Sequence, residues 1–156
     1  MSSRLRAGLI GCGFYARNHL HAWRDLSDDV ELVAVCDRDE QKAGAAAEAF
    51  SVPRWYGDAA RMMEAEALDF VDIVTTMPSH KSLVLLAVSH KVPVIVQKPF
   101  APTWQDCLDM VDVCRNAGVP LLYSAPPGQA PSFQPAGGAQ SSRALASLRD
   151  RHVALP

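Results

Sequence analysis

Residues 8–20 read GLIGCGFYARNHL. An apolar run closes on Gly11, a second glycine follows at Gly13, and the small residue Ala16 stands where a helical pattern opens. This G-x-G-x-x-A spacing answers physical needs that arise when a strand turns sharply into a helix beside a pyrophosphate. Gly11 permits the tight turn. Gly13 lets backbone approach a phosphate with no Cβ between them, and Ala16 lets the helix lie close to the sheet. The amides of Phe14 and Tyr15 then face the phosphates, with the helix dipole in favour. Glycine pairs also mark ordinary turns, so the spacing needs a second signal. Asp37 supplies it at the end of the next apolar run, VELVAVCD (30–37), at about the interval where dinucleotide-binding folds hold the adenosine ribose. A carboxylate there accepts from both ribose hydroxyls and repels a 2′-phosphate, so NAD is expected in preference to NADP. Arg38 beside it pulls the other way, because a guanidinium can stack on adenine or pair with a phosphate.

Outward from this loop, the chain alternates short apolar runs with helical patterns. LRAGLIG (5–11), VELVAVCD (30–37), RWY (54–56), FVDIVTT (70–76), PVIVQ (93–97) and PLLYS (120–124) read as strands. Their near-continuous apolar character suits parallel strands covered on both faces. Residues 14–26 place Ala16, Leu20, Trp23 and Leu26 near one helical face, and residues 39–50 are rich in alanine, a strong helix former. Over 104–117, Thr103 is the expected N-cap with Asp106 three residues on. Trp104, Cys107, Leu108, Val111 and Cys114 form the apolar stripe there, and Gly118 ends the helix. The alternation predicts the α/β class: a doubly wound, open parallel sheet of the Rossmann NAD(P)-binding kind, over residues 1–123. From residue 124 the text turns to alanine, proline, serine and glycine without a sustained period. Residues 124–156 are therefore set apart as a low-complexity tail, expected to be disordered or read out of frame, with RALASLRDR (143–151) its one candidate helix.

Composition narrows the partners. A formal charge of −2 over 156 residues gives no electrostatic footprint for nucleic acid or an anionic membrane. No apolar run reaches membrane-spanning length, and MSSRLRAGLIGCG does not read as a signal peptide. Cys12, Cys36, Cys107 and Cys114 make no C-x-x-C pair, and no histidine stands at zinc spacing beside them. Free thiols in a reducing cytoplasm are expected, with no metal.

The second informative stretch is VPVIVQKPFAPT (92–103). Ligands bind at the carboxyl ends of strands in such a sheet, so Lys98 after the fifth strand and TTMPSH (75–80) after the fourth both face the nicotinamide half of a dinucleotide. An ammonium there can donate to the ribose or to a substrate oxygen and take part in proton transfer. Pro99 restricts the backbone beyond it. The competing reading of Lys98 is a solvated strand-end lysine.

GLIGCGFYARNHLHAW (8–23), AVCDRD (34–39), DIVTTMPSH (72–80) and VIVQKPFAPT (94–103), in this order and spacing, resemble the Gfo/Idh/MocA oxidoreductases. These are the glucose–fructose oxidoreductase and inositol dehydrogenase group, and the resemblance covers residues 5 to about 123. It implies hydride transfer between a nicotinamide cofactor and a secondary hydroxyl of a sugar, cyclitol or similar polyol. It also implies that Thr75, Thr76, Met77 and Pro78 line the cofactor with His80 just beyond, and that Lys98 contacts the nicotinamide ribose and the substrate. The family's motif is usually Glu-Lys-Pro. Gln97 replaces the glutamate here, which keeps hydrogen-bonding shape and loses charge. His80 also reads as a polar surface residue where a helix begins. His19, His21 and His90 read as helix-surface residues, though His19 has a counterpart in the family.

The family's second α/β domain, which carries the substrate pocket, has no recognisable counterpart after GVPLLYS. The chain is therefore expected to be a truncated, nucleotide-binding portion that is weakly active or inactive alone, with apolar surface left open to self-association. The alternatives are a non-catalytic NAD(H)-binding module and a gene fragment.

Overall fold

The computed structural model describes residues 4–124. The tail set apart on composition, with its candidate helix, lies outside the described residues. The chain runs β1 (Leu5–Ile10), α1 (Ala16–Asp25), β2 (Val30–Cys36), α2 (Glu40–Phe50), β3 (Arg54–Tyr56), α3 (Ala59–Ala65) and β4 (Phe70–Ile73). A 3-10 turn (Met77–Ser79) then leads into α4 (His80–Ser89), followed by β5 (Val94–Gln97), α5 (Trp104–Ala117) and β6 (Leu121–Ser124).

The six strands form one sheet in the order β3-β2-β1-β4-β5-β6. β1 pairs in parallel with β2 on one side and β4 on the other, and β2–β3 and β4–β5 are parallel as well. β6 joins beside β5, where the Val94 N–H donates to the Pro120 carbonyl at 2.9 Å. This is the doubly wound sheet expected from the sequence. Apolar layers cover both faces. One, built from Leu9, Val35 and Val74, packs under Ala16, Leu20 and Ala47 of α1 and α2. The other joins Ile10, Val71, Ile73 and Val94 to Met62, Val84, Ala87, Met110 and Cys114 of α3, α4 and α5. Strand order reverses between β1 and β4, and a crevice opens at their carboxyl ends, where ligands bind in such sheets.

Three details depart from the sequence reading. Segment 57–69, left without an element, contains α3. Asp58 caps it by accepting from the Arg61 N–H at 2.9 Å, and Met62 and Met63 are its buried residues. β4 ends at Ile73, three residues early, because the chain turns away after the Val74 N–H donates to the Ile10 carbonyl. The apolar stripe of α5 is rotated. Met110 and Cys114 are its buried residues, with Val113 and Ala117 packed beside them, while Trp104 is 71% exposed and Leu108 also faces out. The helix is apolar around more than one face, and the sheet covers only one of them. Its N-terminus is as expected: the Thr103 hydroxyl accepts from the Asp106 N–H and donates to the Asp106 carboxylate.

Candidate cofactor site

The loop after β1 is built around Gly11. Its φ is +100°, and its N–H donates to the Cys36 carbonyl at 2.7 Å. A Cβ added at Gly11 would lie 2.8 Å from the carbonyl carbon and oxygen of Val74, so the turn and the close passage of the post-β4 loop both require glycine. Gly13 differs. An added Cβ there meets nothing within 4 Å, because the residue fronts open space. Ala16 is buried against the sheet. Among the described residues no side chain caps α1 and its first turn carries no acid; the Ala16 and Asn18 N–H groups donate to the Gly13 and Tyr15 carbonyls, both at 3.1 Å, and the positive end of the helix dipole meets the groove. That groove encloses about 640 Å³ and is walled by Gly11, Gly13, Tyr15, Asp37, Thr75 and Thr76, among others. Phe14 stands at its mouth, 92% exposed.

Asp37 does more than wait for a ribose. One carboxylate oxygen accepts from the Cys12 N–H at 2.7 Å, and the other accepts from the Asp39 N–H at 2.9 Å. The side chain thus ties the glycine loop to the start of α2, and each oxygen keeps lone-pair capacity for a hydroxyl. Arg38 is exposed on the same wall, as is Lys42, which pairs with Asp39. The thiols behind this wall are held protonated. Burial, then the charge of Asp37, then Cys36 push Cys12 up to about 12. Burial, then Asp58 and Asp37, push Cys36 to about 12 as well. Since the thiolate is the reactive form, iodoacetamide at pH 8 should leave Cys12 and Cys36 of the native chain unmodified in peptide mass maps. Ready labelling of either would contradict this account.

Outside the groove, Lys98 is exposed just past β5, with a cis peptide bond to Pro99. Its Nζ lies 5.4 Å from the centroid of the Tyr15 ring, a cation–π distance. Its backbone N–H donates to Gln97 Oε1 at 2.6 Å. Gln97 is buried, with its amide nitrogen 2.6 Å from His19 Nε2, and His19 Nδ1 is 2.7 Å from Asp72 Oδ2. The Trp23 indole N–H donates to that same oxygen at 2.8 Å.

His19 is therefore no surface residue. It stands between α1 and the sheet, linking a wholly buried carboxylate to the strand end that precedes Lys98. His80 is also corrected. It is fully buried rather than exposed at the start of its helix, with Nε2 3.0 Å from the Thr75 carbonyl and Nδ1 3.1 Å from the Phe100 carbonyl. It ties the loop after β4 to the loop after β5 and does not wall the groove. Thr75 and Thr76 do wall it, and the Ser79 hydroxyl bridges them by donating within reach of Thr75 Oγ1 and the Thr76 carbonyl. Pro78 and Lys98 lie outside the groove wall, both exposed. His21 is exposed as expected, and His90 is half-buried. Among the described residues, no cluster of three or more candidate metal ligands occurs and no helix is long and apolar enough to cross a membrane.

Residues 5–124 match the oxidoreductase family with an NAD-binding Rossmann fold known as Gfo/Idh/MocA. The chain belongs to this family. Its curated relatives include a D-apiose dehydrogenase of Paraburkholderia graminis, 51% identical over 153 residues, or 98% of this chain and 38% of that protein. A D-apiose dehydrogenase of Rhizobium rhizogenes is 46% identical over 77% of the chain and 34% of its own length. Of solved Gfo/Idh/MocA-like structures, an oxidoreductase from Agrobacterium radiobacter in complex with NAD+, L-tartaric acid and magnesium superposes with a TM-score of 0.75 at 45% identity. It is matched over 78% of this chain and 35% of that one. The WlbA dehydrogenase from Bordetella pertussis, in complex with NADH and UDP-GlcNAcA, gives 0.75 at 30% identity, over 78% and 37%. This chain thus spans between a third and two fifths of the length of these proteins. The Paraburkholderia alignment runs on past residue 124, where the family match ends. The cofactor of the family domain is NAD, and the residues present fit it: an open face before Gly13, a helix start with no side-chain cap and no acid, and a carboxylate at the end of β2.

Proposed function

We propose that this chain carries the cofactor-binding domain of an NAD-dependent dehydrogenase acting on a secondary hydroxyl of a sugar, cyclitol or similar polyol. The observation that supports it best is the placing of a held ammonium, Lys98 over Tyr15, beside a groove whose walls include Tyr15 itself. The names of the two relatives, both D-apiose dehydrogenases, favour a sugar. In this reading the α1 amides at Phe14 and Tyr15, with Gly11 and Gly13, hold the pyrophosphate. Asp37 accepts from the adenosine ribose, and Arg38 flanks the adenine. Thr75, Thr76 and Pro78 face the nicotinamide end. Lys98 donates to the nicotinamide ribose and to the reacting oxygen, holding a proton where the hydroxyl is oxidised. NAD, when bound, supplies the hydride acceptor. The rest of the substrate pocket is proposed to come from outside the Rossmann unit.

Calorimetric titration with NAD+, NADH and NADP+ tests the first half. Saturable NAD binding at least tenfold tighter than NADP+ is expected, and no binding by the folded chain would overturn the proposal. A second reading is NAD(H) binding without turnover, in which Lys98, exposed and outside the groove wall, is a solvated strand-end lysine. Assay of D-apiose oxidation with NAD+ separates the two. Where turnover is found, Lys98→Ala should remove it and leave adenosine-end binding intact; unchanged turnover would take Lys98 out of the mechanism.

A further inference from the structure

We infer that Asp72, His19 and Gln97 form a hydrogen-bond relay of fixed direction, and that these three are positioning residues for Lys98. The inference rests on the place given to Lys98 in the proposed function. The direction is forced from both ends. An ionised Asp72 carboxylate can only accept, so His19 carries hydrogen on Nδ1. The Lys98 backbone N–H can only donate, so the oxygen of the Gln97 amide faces it. The amide NH₂ is then left to face His19 Nε2, which must be the bare, accepting nitrogen. His19 is thereby written as one neutral tautomer. No other assignment satisfies all four groups.

Asp72 is the anchor of the relay. The carboxylate is wholly buried, and among the described residues its Oδ1 has no hydrogen-bond partner, so its compensation falls on His19 and Trp23 through Oδ2. That demand keeps His19 in place. Tyr15 lies one helical turn before His19, with the two ring centroids 5.8 Å apart, and carries the Lys98 ammonium over its own ring. One side of α1 therefore holds Lys98 twice, by its backbone through Gln97 and by its ammonium through Tyr15. The amide at position 97 is specific to this arrangement. A carboxylate there could not donate to His19 Nε2, and the histidine would have to take a second proton to keep the contact.

The test uses the full chain labelled with ¹⁵N-histidine, in long-range ¹H–¹⁵N spectra at pH 7.5. His19 should show one protonated nitrogen, Nδ1, and one bare nitrogen, Nε2; Gln97→Glu should convert both to the protonated type. A wild type with hydrogen on Nε2, or averaging between tautomers, would overturn the relay. This signature decides the direction of the relay, and the binding arm decides whether it positions Lys98. The binding arm compares NADH with ADP-ribose, which lacks the nicotinamide. Gln97→Met should weaken NADH roughly tenfold, the scale of one lost hydrogen bond, and leave ADP-ribose unchanged. Equal loss of both ligands would reduce Gln97 to a fold-supporting residue and defeat the positioning claim. A wild type that binds neither ligand defeats the proposed function instead, and the spectrum still decides the relay.

Discussion

Gly11→Ala is expected to lower the unfolding free energy by about 2–6 kcal/mol and to abolish NADH binding. Two independent costs add. At φ +100° an L side chain is strained, for about 1–3 kcal/mol. The new methyl group would also sit 2.8 Å from Val74 backbone atoms and 2.9 Å from the Thr75 methyl, an overpacking of about 1–3 kcal/mol. The neighbour cannot swing aside, because it is the main chain leaving β4. Gly13→Ala is the matching control. Its methyl group meets nothing, so stability should hold within about 0.5 kcal/mol while NADH affinity falls, since the methyl would enter the space read as the phosphate's. Urea midpoints and NADH titrations of the two variants decide it. A Gly11→Ala chain as stable as wild type and still binding NADH would refute the account of the loop.

His80→Ala should cost about 3–5 kcal/mol, because it empties a fully buried site and removes the ring that reaches the Thr75 and Phe100 carbonyls. A neutral imidazole donates to one of these carbonyls at a time. The side chain pins the Thr75 loop to the Phe100 loop, so NADH binding should weaken beyond what the stability change alone removes. His80→Gln, which keeps donor capacity, should recover part of the loss. Thermal unfolding followed by circular dichroism checks this. A change within about 0.5 kcal/mol is what a surface histidine would give, and it would sink the pinning role.

How much of this was readable from the sequence depended on how far apart the cooperating residues lie. Gly11, Gly13 and Asp37 follow one another within two strands, and each carries a local backbone requirement, so their pattern survives in the text. The same holds for Thr103 and Gly118, which mark the ends of α5 through short-range hydrogen bonding. The relay is different. Asp72 lies 53 residues from His19, and Gln97 lies 78 from it, so no window of sequence holds the set. One hint was present: an acid inside the apolar run FVDIV must find buried donors. The donors could not be named without the antiparallel packing of α1 on β4, which sets His19 beside Asp72 and Trp23 beside Phe70. The α5 stripe erred for a related reason. Periodicity shows which residues can share a face, and only the neighbouring sheet decides which apolar face is covered.

The central place of β1 carries a cost in time. Its partner on one side, β4, lies far along the chain: the Arg6 N–H beside it donates to the Asp69 carboxylate, 63 residues later. As the chain leaves the ribosome, β1 and β2 can pair early, but the other edge of β1 stays bare until residues 70–73 emerge. Non-local pairing of this kind folds slowly, and the waiting edge is apolar. A nascent chain paused between residues 40 and 70 is thus the species most in need of a chaperone, and synonymous codons that slow that stretch would lower the yield of folded protein without altering any residue.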